Sequence, residues 1–223
     1  MVYSERFKYL VLHLIFMSLW HQTWHKYVAE FLGTLALTLA VLVGLTSTNP
    51  SVTPVLAALT LGLFVYSIGH ISGAHLNPAV TIGAWSIGKI VPKDVFRYIL
   101  AQFLGALAAR WIAGMMIVQA AANISTRSTS LLSDPKIAIA EAVGMFFFAF
   151  GIASVIYGRT PSDLSGVVVG GSLFLGIAIA STVSNGVLNP AVALGIGSLN
   201  LMYFLGPVIG APAGMWAYRH LSS

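Results

Sequence analysis

A chain of 223 residues has the length of one soluble domain, yet only 8% of it is charged and 57% is hydrophobic. Ordinary soluble domains carry roughly 25% charged residues, and so few charges cannot cover a water-facing surface, so most of the exterior faces lipid. The net charge of +5 comes from 11 Lys and Arg against 6 Asp and Glu, scattered singly, which argues against a nucleic-acid-binding patch; without cysteine there is no disulfide framework, thiol nucleophile or Cys-based metal site.

The first apolar run, residues 9–20, follows Arg6 and Lys8 and is too short to span. His21-Gln22-Thr23-Trp24-His25 offers no small-residue cleavage site, so an interfacial helix is favoured over a cleaved signal or a seventh span. Longer runs follow at residues 27–45, 54–69, 95–119, 137–157, 164–180 and 199–218. About 20 helical residues cross about 30 Å of hydrocarbon, so these predict six transmembrane helices. Asn49-Pro50, Thr53-Pro54, Val91-Pro92, Asp134-Pro135 and Thr160-Pro161 separate them. Leu205-Gly206-Pro207 falls inside the sixth run, which predicts either a kink or a later start.

The chain repeats itself. Leu76-Asn77-Pro78-Ala79-Val80 recurs 112 residues later as Leu188-Asn189-Pro190-Ala191-Val192. Ala29-Glu30 with Gly33 matches Ala140-Glu141 with Gly144, and Gly105-Ala106 matches Gly210-Ala211 more loosely. Each half then holds three spans. An odd number makes the second half enter from the opposite side, an inverted repeat whose site lies at the bilayer midplane. The predicted organisation is an amino-terminal segment (1–26), a first repeat (27–122), a loop (123–136) and a second repeat (137–223). With the amino terminus inside, eight Lys and Arg face the cytoplasm against Arg127 and Lys136 outside, with Arg110 left within a span; both termini are expected in the cytoplasm.

After each Asn-Pro-Ala comes an apolar stretch too short to cross, residues 78–90 and 190–199, predicting half-helices of roughly 15–18 Å. Asn is a strong N-cap and proline fits the first helical turn. Two such helices entering from opposite faces would meet tip to tip at Pro78, Ala79, Pro190 and Ala191, with both positive dipole ends aimed at one place. The Asn77 and Asn189 amides then donate toward a lumen whose far wall is apolar. That turns a passing water's oxygen toward both and interrupts a proton wire. The stretches 69–76 and 183–188 are expected to be non-helical and to line a cavity, since unsatisfied carbonyls are not tolerated against lipid. The resulting fold class is all-α integral membrane, six transmembrane helices plus two re-entrant half-helices in an inverted repeat.

The segment from His70 to Thr81 resembles the first signature loop of the aquaporin (major intrinsic protein) family. Ala29–Thr34, Ala101–Ala106 and Gly206–Ala211 resemble its motifs in spans one, three and six, and the resemblance runs from about Lys26 to the carboxyl terminus. It implies a homotetramer with one pore per chain and passive flow of water, glycerol or similar solutes. It also implies that Glu30 and Glu141 hydrogen-bond the loop of their own half; a proton-relay pair is the alternative. His75 reads as a fixed hydrogen-bonding member of the loop or as a group that gates by protonation.

Most of the family resembles Asn-Pro-Ala-Arg at the second motif, where this chain has Val192. The same correspondence makes Ala57, Ile177, Gly186 and Val192 the outer constriction, small or apolar and uncharged. A water-only filter needs a narrow polar ring, so the expectation is a greasier mouth passing water with glycerol-sized neutral solutes. A mainly water-selective channel and an ammonia or gas channel remain alternatives, as do a secondary transporter or a structural protein on the same fold. Arg110 has three readings: snorkelling toward headgroups, an interface ion pair, or a charge supplied to the constriction. No His-Glu-x-x-His or nucleophile–base pairing argues for an enzyme, and no cofactor or metal is implied.

Overall fold

A computed structural model describes residues 24–116 and 134–223. The expected interfacial segment at residues 9–20, the end of the third run and most of the loop between repeats lie outside the described residues. The described chain forms α1 (Trp24–Gly44), α2 (Val52–Ser72), α3 (Pro78–Ser86) and α4 (Pro92–Met116). The second half supplies α5 (Pro135–Ile156), α6 (Ser165–Ala180) after a 3-10 turn at Ser162–Leu164, α7 (Pro190–Gly195) and α8 (Leu201–Ser222).

Local chemistry sets the ends. Asp134 accepts from the Lys136 amide ahead of Pro135, so α5 starts on a capped proline turn. Asn200 accepts from Met202 and Tyr203 to start α8. That helix begins before Leu205-Gly206-Pro207 and runs through both Pro207 and Pro212, so the interruption expected there does not end it. Among the described residues five helices, α6 counted with its 3-10 turn, are long and apolar enough to cross a membrane. At 22 residues, about 33 Å, α8 matches them in length, but prolines, glycines and its Arg219–His220 end dilute its apolar character.

The half-helices are shorter than their apolar stretches. Gly88 (φ 76°) and Gly197 (φ 75°) take the left-handed conformation that stops a helix. Lys89 and Ser198 then donate back to Ala84 O and Ala193 O, the long reach of a Schellman cap. Helix α3 therefore has 9 residues and α7 has 6, about 14 and 9 Å. The expected non-helical stretch 69–76 is also shorter, because α2 continues through Ser72 and stops at Gly73.

The two halves repeat each other's packing. Helix α4 crosses α1 where Gly105 faces the Phe31 carbonyl, and α8 crosses α5 where Gly210 faces the Ala142 carbonyl. At Gly206 an added Cβ would sit 2.6 Å from Ala138 O, so small residues let these backbones touch, as lipid-embedded helices require. Each half-helix leans on the last long helix of the opposite half, α3 on α8 and α7 on α4. That exchange brings the two Asn-Pro-Ala tips together at the centre.

Candidate functional site

Asn77 and Asn189 are both buried N-caps in extended conformation, φ −158° and −148°. Asn77 Oδ1 accepts from Ala79 N at 2.8 Å; Asn189 Oδ1 accepts from Ala191 N and Val192 N at 3.0 and 3.2 Å. The amide nitrogens reach across the midplane. Asn77 Nδ2 donates to Leu188 O at 2.8 Å, and Asn189 Nδ2 donates to Leu76 O at 2.9 Å. One of each amide's two N–H groups is thus spent on tying the halves together, and both asparagines also line a cavity. The carbonyls involved belong to Leu76 and Leu188, both left-handed at φ 48° and 55°. A left-handed leucine is uncommon and costs of order 1 kcal/mol or more. Here the strained turn aims its carbonyl at the opposite asparagine. Pro78, Ala79, Pro190 and Ala191 are all buried at this contact.

What holds each turn is a buried carboxylate. Glu30 Oε1 accepts from Ser72 Oγ (2.7 Å) and His75 N (2.9 Å); its Oε2 accepts from Leu76 N (2.7 Å) and Gln102 Nε2 (2.8 Å). Glu141 repeats the pattern, Oε1 accepting from Ser184 Oγ (2.7 Å) and Val187 N (3.0 Å), Oε2 from Leu188 N (2.6 Å). The serines in turn accept from Ala74 N and Gly186 N. Both carboxylates are wholly buried. A charge in hydrocarbon costs several kcal/mol, and three or four charge-assisted bonds each offset part of that while holding the loop's amides in register.

Sequence reasoning did not single out Ser72, Ser184, Gln102, Thr81, Tyr98 or Tyr203. The serines could have been found by the 112-residue register, and the tyrosines by the same 105-residue offset that pairs Gly105 with Gly210. Tyr98 OH donates to Ser72 O at 2.9 Å, while Tyr203 OH accepts from Asn185 N at 2.9 Å. The two rings therefore hold opposite ends of equivalent peptide units. Gln102 and Thr81 have no such signal. Gln102 Nε2 also donates to Thr81 Oγ1 (2.9 Å), which bonds Asn77 O (3.1 Å) and faces His75 Nδ1 (3.1 Å). His75 is thereby seated against Thr81, with its ring 5.2 Å from that of Tyr98.

Two cavities approach the tips. The larger, about 450 Å³, opens past residues 44–54 and is walled by Ala57, Ile177, Gly186 and Val192 together with both asparagines. The smaller, about 270 Å³, runs from Ser72–His75 past Lys89 to Ile156. Among the described residues no acidic or guanidinium side chain lines either. Arg110 is half-buried and lines neither cavity; its Nη1 points to Leu194 O at 3.4 Å, at the carbonyl end of α7 where a cation suits the helix dipole. In this position it does not stand at the wall formed by Ala57, Ile177, Gly186 and Val192. Among the described residues no His, Asp or Glu group is arranged to hold a metal. Outside the site, Asp94 anchors α4 to α1 through Lys26 Nζ (2.6 Å) and the Tyr27 hydroxyl (2.7 Å).

Residues 17–218 match the model of the major intrinsic protein family. The chain is 32% identical over 214 residues to "Aquaporin NIP1-1" of Arabidopsis thaliana, covering 87% of this chain and 72% of that one. It is 33% identical over 181 residues to "Probable aquaporin AqpM" of Archaeoglobus fulgidus, covering 74% of each. Its fold is similar to the X-ray structure of the aquaglyceroporin from Plasmodium falciparum, with a TM-score of 0.65 at 21% identity, covering 89% of this chain and 95% of that one.

Proposed function

Because the chain belongs to the major intrinsic protein family and is a membrane channel for water and small neutral solutes, we propose that glycerol-sized molecules pass it together with water and that ions are held back at the paired asparagines. The observation that carries the reading is the uncharged wall of Ala57, Ile177, Gly186 and Val192 in the outer cavity, where Val192 stands at the position that the family resemblance gives to arginine. With no fixed cation and no polar side chain at those four positions, a solute's carbon skeleton meets apolar wall and its hydroxyls meet backbone carbonyls. Cation exclusion then rests on the convergent ends of α3 and α7 and on the amides of Asn77 and Asn189. Glu30, Glu141 and His75 act in this reading as supports that keep the two loops in register.

The eight-to-two asymmetry of basic residues supports cytoplasmic termini, and family membership supports a homotetramer with one pore per chain, each chain built of repeats 27–122 and 137–223. The test is stopped-flow light scattering on proteoliposomes with water and glycerol gradients. Glycerol flux is expected from the wild type, and Val192→Arg is expected to reduce the glycerol-to-water ratio by about tenfold or more, the scale on which a site discriminates by one or two methylene groups. Fast water flux without detectable glycerol flux in the wild type overturns the reading.

A further inference from the structure

Among the described residues the two cavities share three wall residues, Leu61, His75 and Phe148. The four residues at the outer constriction position all belong to the larger cavity, on the same side as both asparagines. The ring thus lies along one continuous cavity, and the two cavities adjoin deeper, past the asparagines. Phe148 and Leu61 are among the largest side chains that are fully buried, at 1% and 2% exposure. Both are carried on long helices, α5 and α2. The third shared residue is His75, held by Thr81 and Tyr98. The throat therefore has two rigid apolar walls and one fixed polar wall.

The geometry points to Phe148 as the size-determining residue of this channel, with Leu61 and His75 completing a selectivity throat at the inner side of the Asn-Pro-Ala contact. This rests on the reading of the pore given above and deepens it by assigning the solute cut-off to α5 rather than to the outer ring. A ring in a close-packed wall has little freedom to yield: it can swing aside only by driving its neighbours off their rotamers. The exclusion of a neutral solute then depends on its cross-section at Phe148.

The experiment compares permeability ratios in proteoliposomes for water, glycerol and the four-carbon polyol erythritol. Phe148→Leu is expected to raise the erythritol-to-water ratio by about tenfold, and Val192→Ala by less than about half as much. Leu61→Ala widens the same throat from the other wall and is expected to shift the ratio in the same direction, which serves if Phe148→Leu fails to reconstitute. A shift from Val192→Ala equal to or larger than that of either throat variant overturns the assignment and returns the filter to the outer ring. Absence of glycerol flux in the wild type would refute the wider permeant range alone; the throat would still be supported by Phe148→Leu opening a flux, and overturned if only Val192→Ala opened one.

Discussion

Replacing Glu141 with glutamine isolates the chemistry that holds the second half-helix in place. The side chain keeps its shape, but one oxygen becomes an NH2 group among donors. Ser184 Oγ and Val187 N converge on Oε1 and Leu188 N on Oε2, so the favoured orientation keeps the first two bonds and turns the NH2 toward Leu188. The Leu188 amide, 2.6 Å from its acceptor in the native site, then faces a donor in a wholly buried position. Losing a charge-assisted bond is worth about 1.5–3 kcal/mol and stranding a buried N–H about 1–3 kcal/mol, so a cost of about 2.5–6 kcal/mol is expected. For a chain of this size that is roughly 5–24 °C in unfolding temperature. Because Leu188 presents the carbonyl that Asn77 Nδ2 grips, the loosened loop should also lower water permeability per reconstituted channel. Differential scanning fluorimetry in detergent and stopped-flow water flux measure the two effects. Wild-type melting together with wild-type flux in Glu141→Gln would refute the idea that this carboxylate organises the loop.

Ala74 sits in the left-handed region at φ 49°, where its repeat partner is Gly186 at φ 60°. Ala74→Gly should relieve strain and raise stability by about 0.5–1 kcal/mol, whereas Gly186→Ala should lower it, because a Cβ there meets Ser181 Oγ and lies 2.9 Å from Ile177 O; thermal melts of the two variants should move in opposite directions. Asp94→Asn keeps the shape of the α1–α4 anchor but removes the charge that receives Lys26 and Tyr27. It should cost about 1–3 kcal/mol, and high salt should reduce the difference from wild type only partly, since Asp94 is buried; melts at low and high salt check this.

The positions of the long helices were readable because their signals are local. A run of apolar residues between Asn-Pro, Asp-Pro and Thr-Pro breaks needs no knowledge of the rest of the chain, and neither does an asparagine followed by proline at a helix start. The half-helix ends were misjudged for the same reason. Ile90 and Leu199 continue the apolar pattern, but Gly88 and Gly197 close their caps first, and a glycine's left-handed turn leaves the hydropathy unchanged. The serines under the two carboxylates and the paired tyrosines were latent in the repeat register. Gln102 and Thr81 were not, since the second half has nothing to match them with.

Sequence alone determined that this chain lives in lipid, that it is doubled, and that two asparagine-capped helix starts stand at equivalent places in the halves. Composition, periodicity and repeat spacing are additive properties of nearby residues, so they survive without coordinates. Only the tertiary structure decided that each asparagine reaches the opposite leucine carbonyl, that Arg110 sits behind α7 and away from the lumen, and that Leu61, His75 and Phe148 are shared by both cavities. Those outcomes depend on how α2, α5 and the two loops cross, and groups brought together from opposite halves of the chain leave no mark on any single stretch of it.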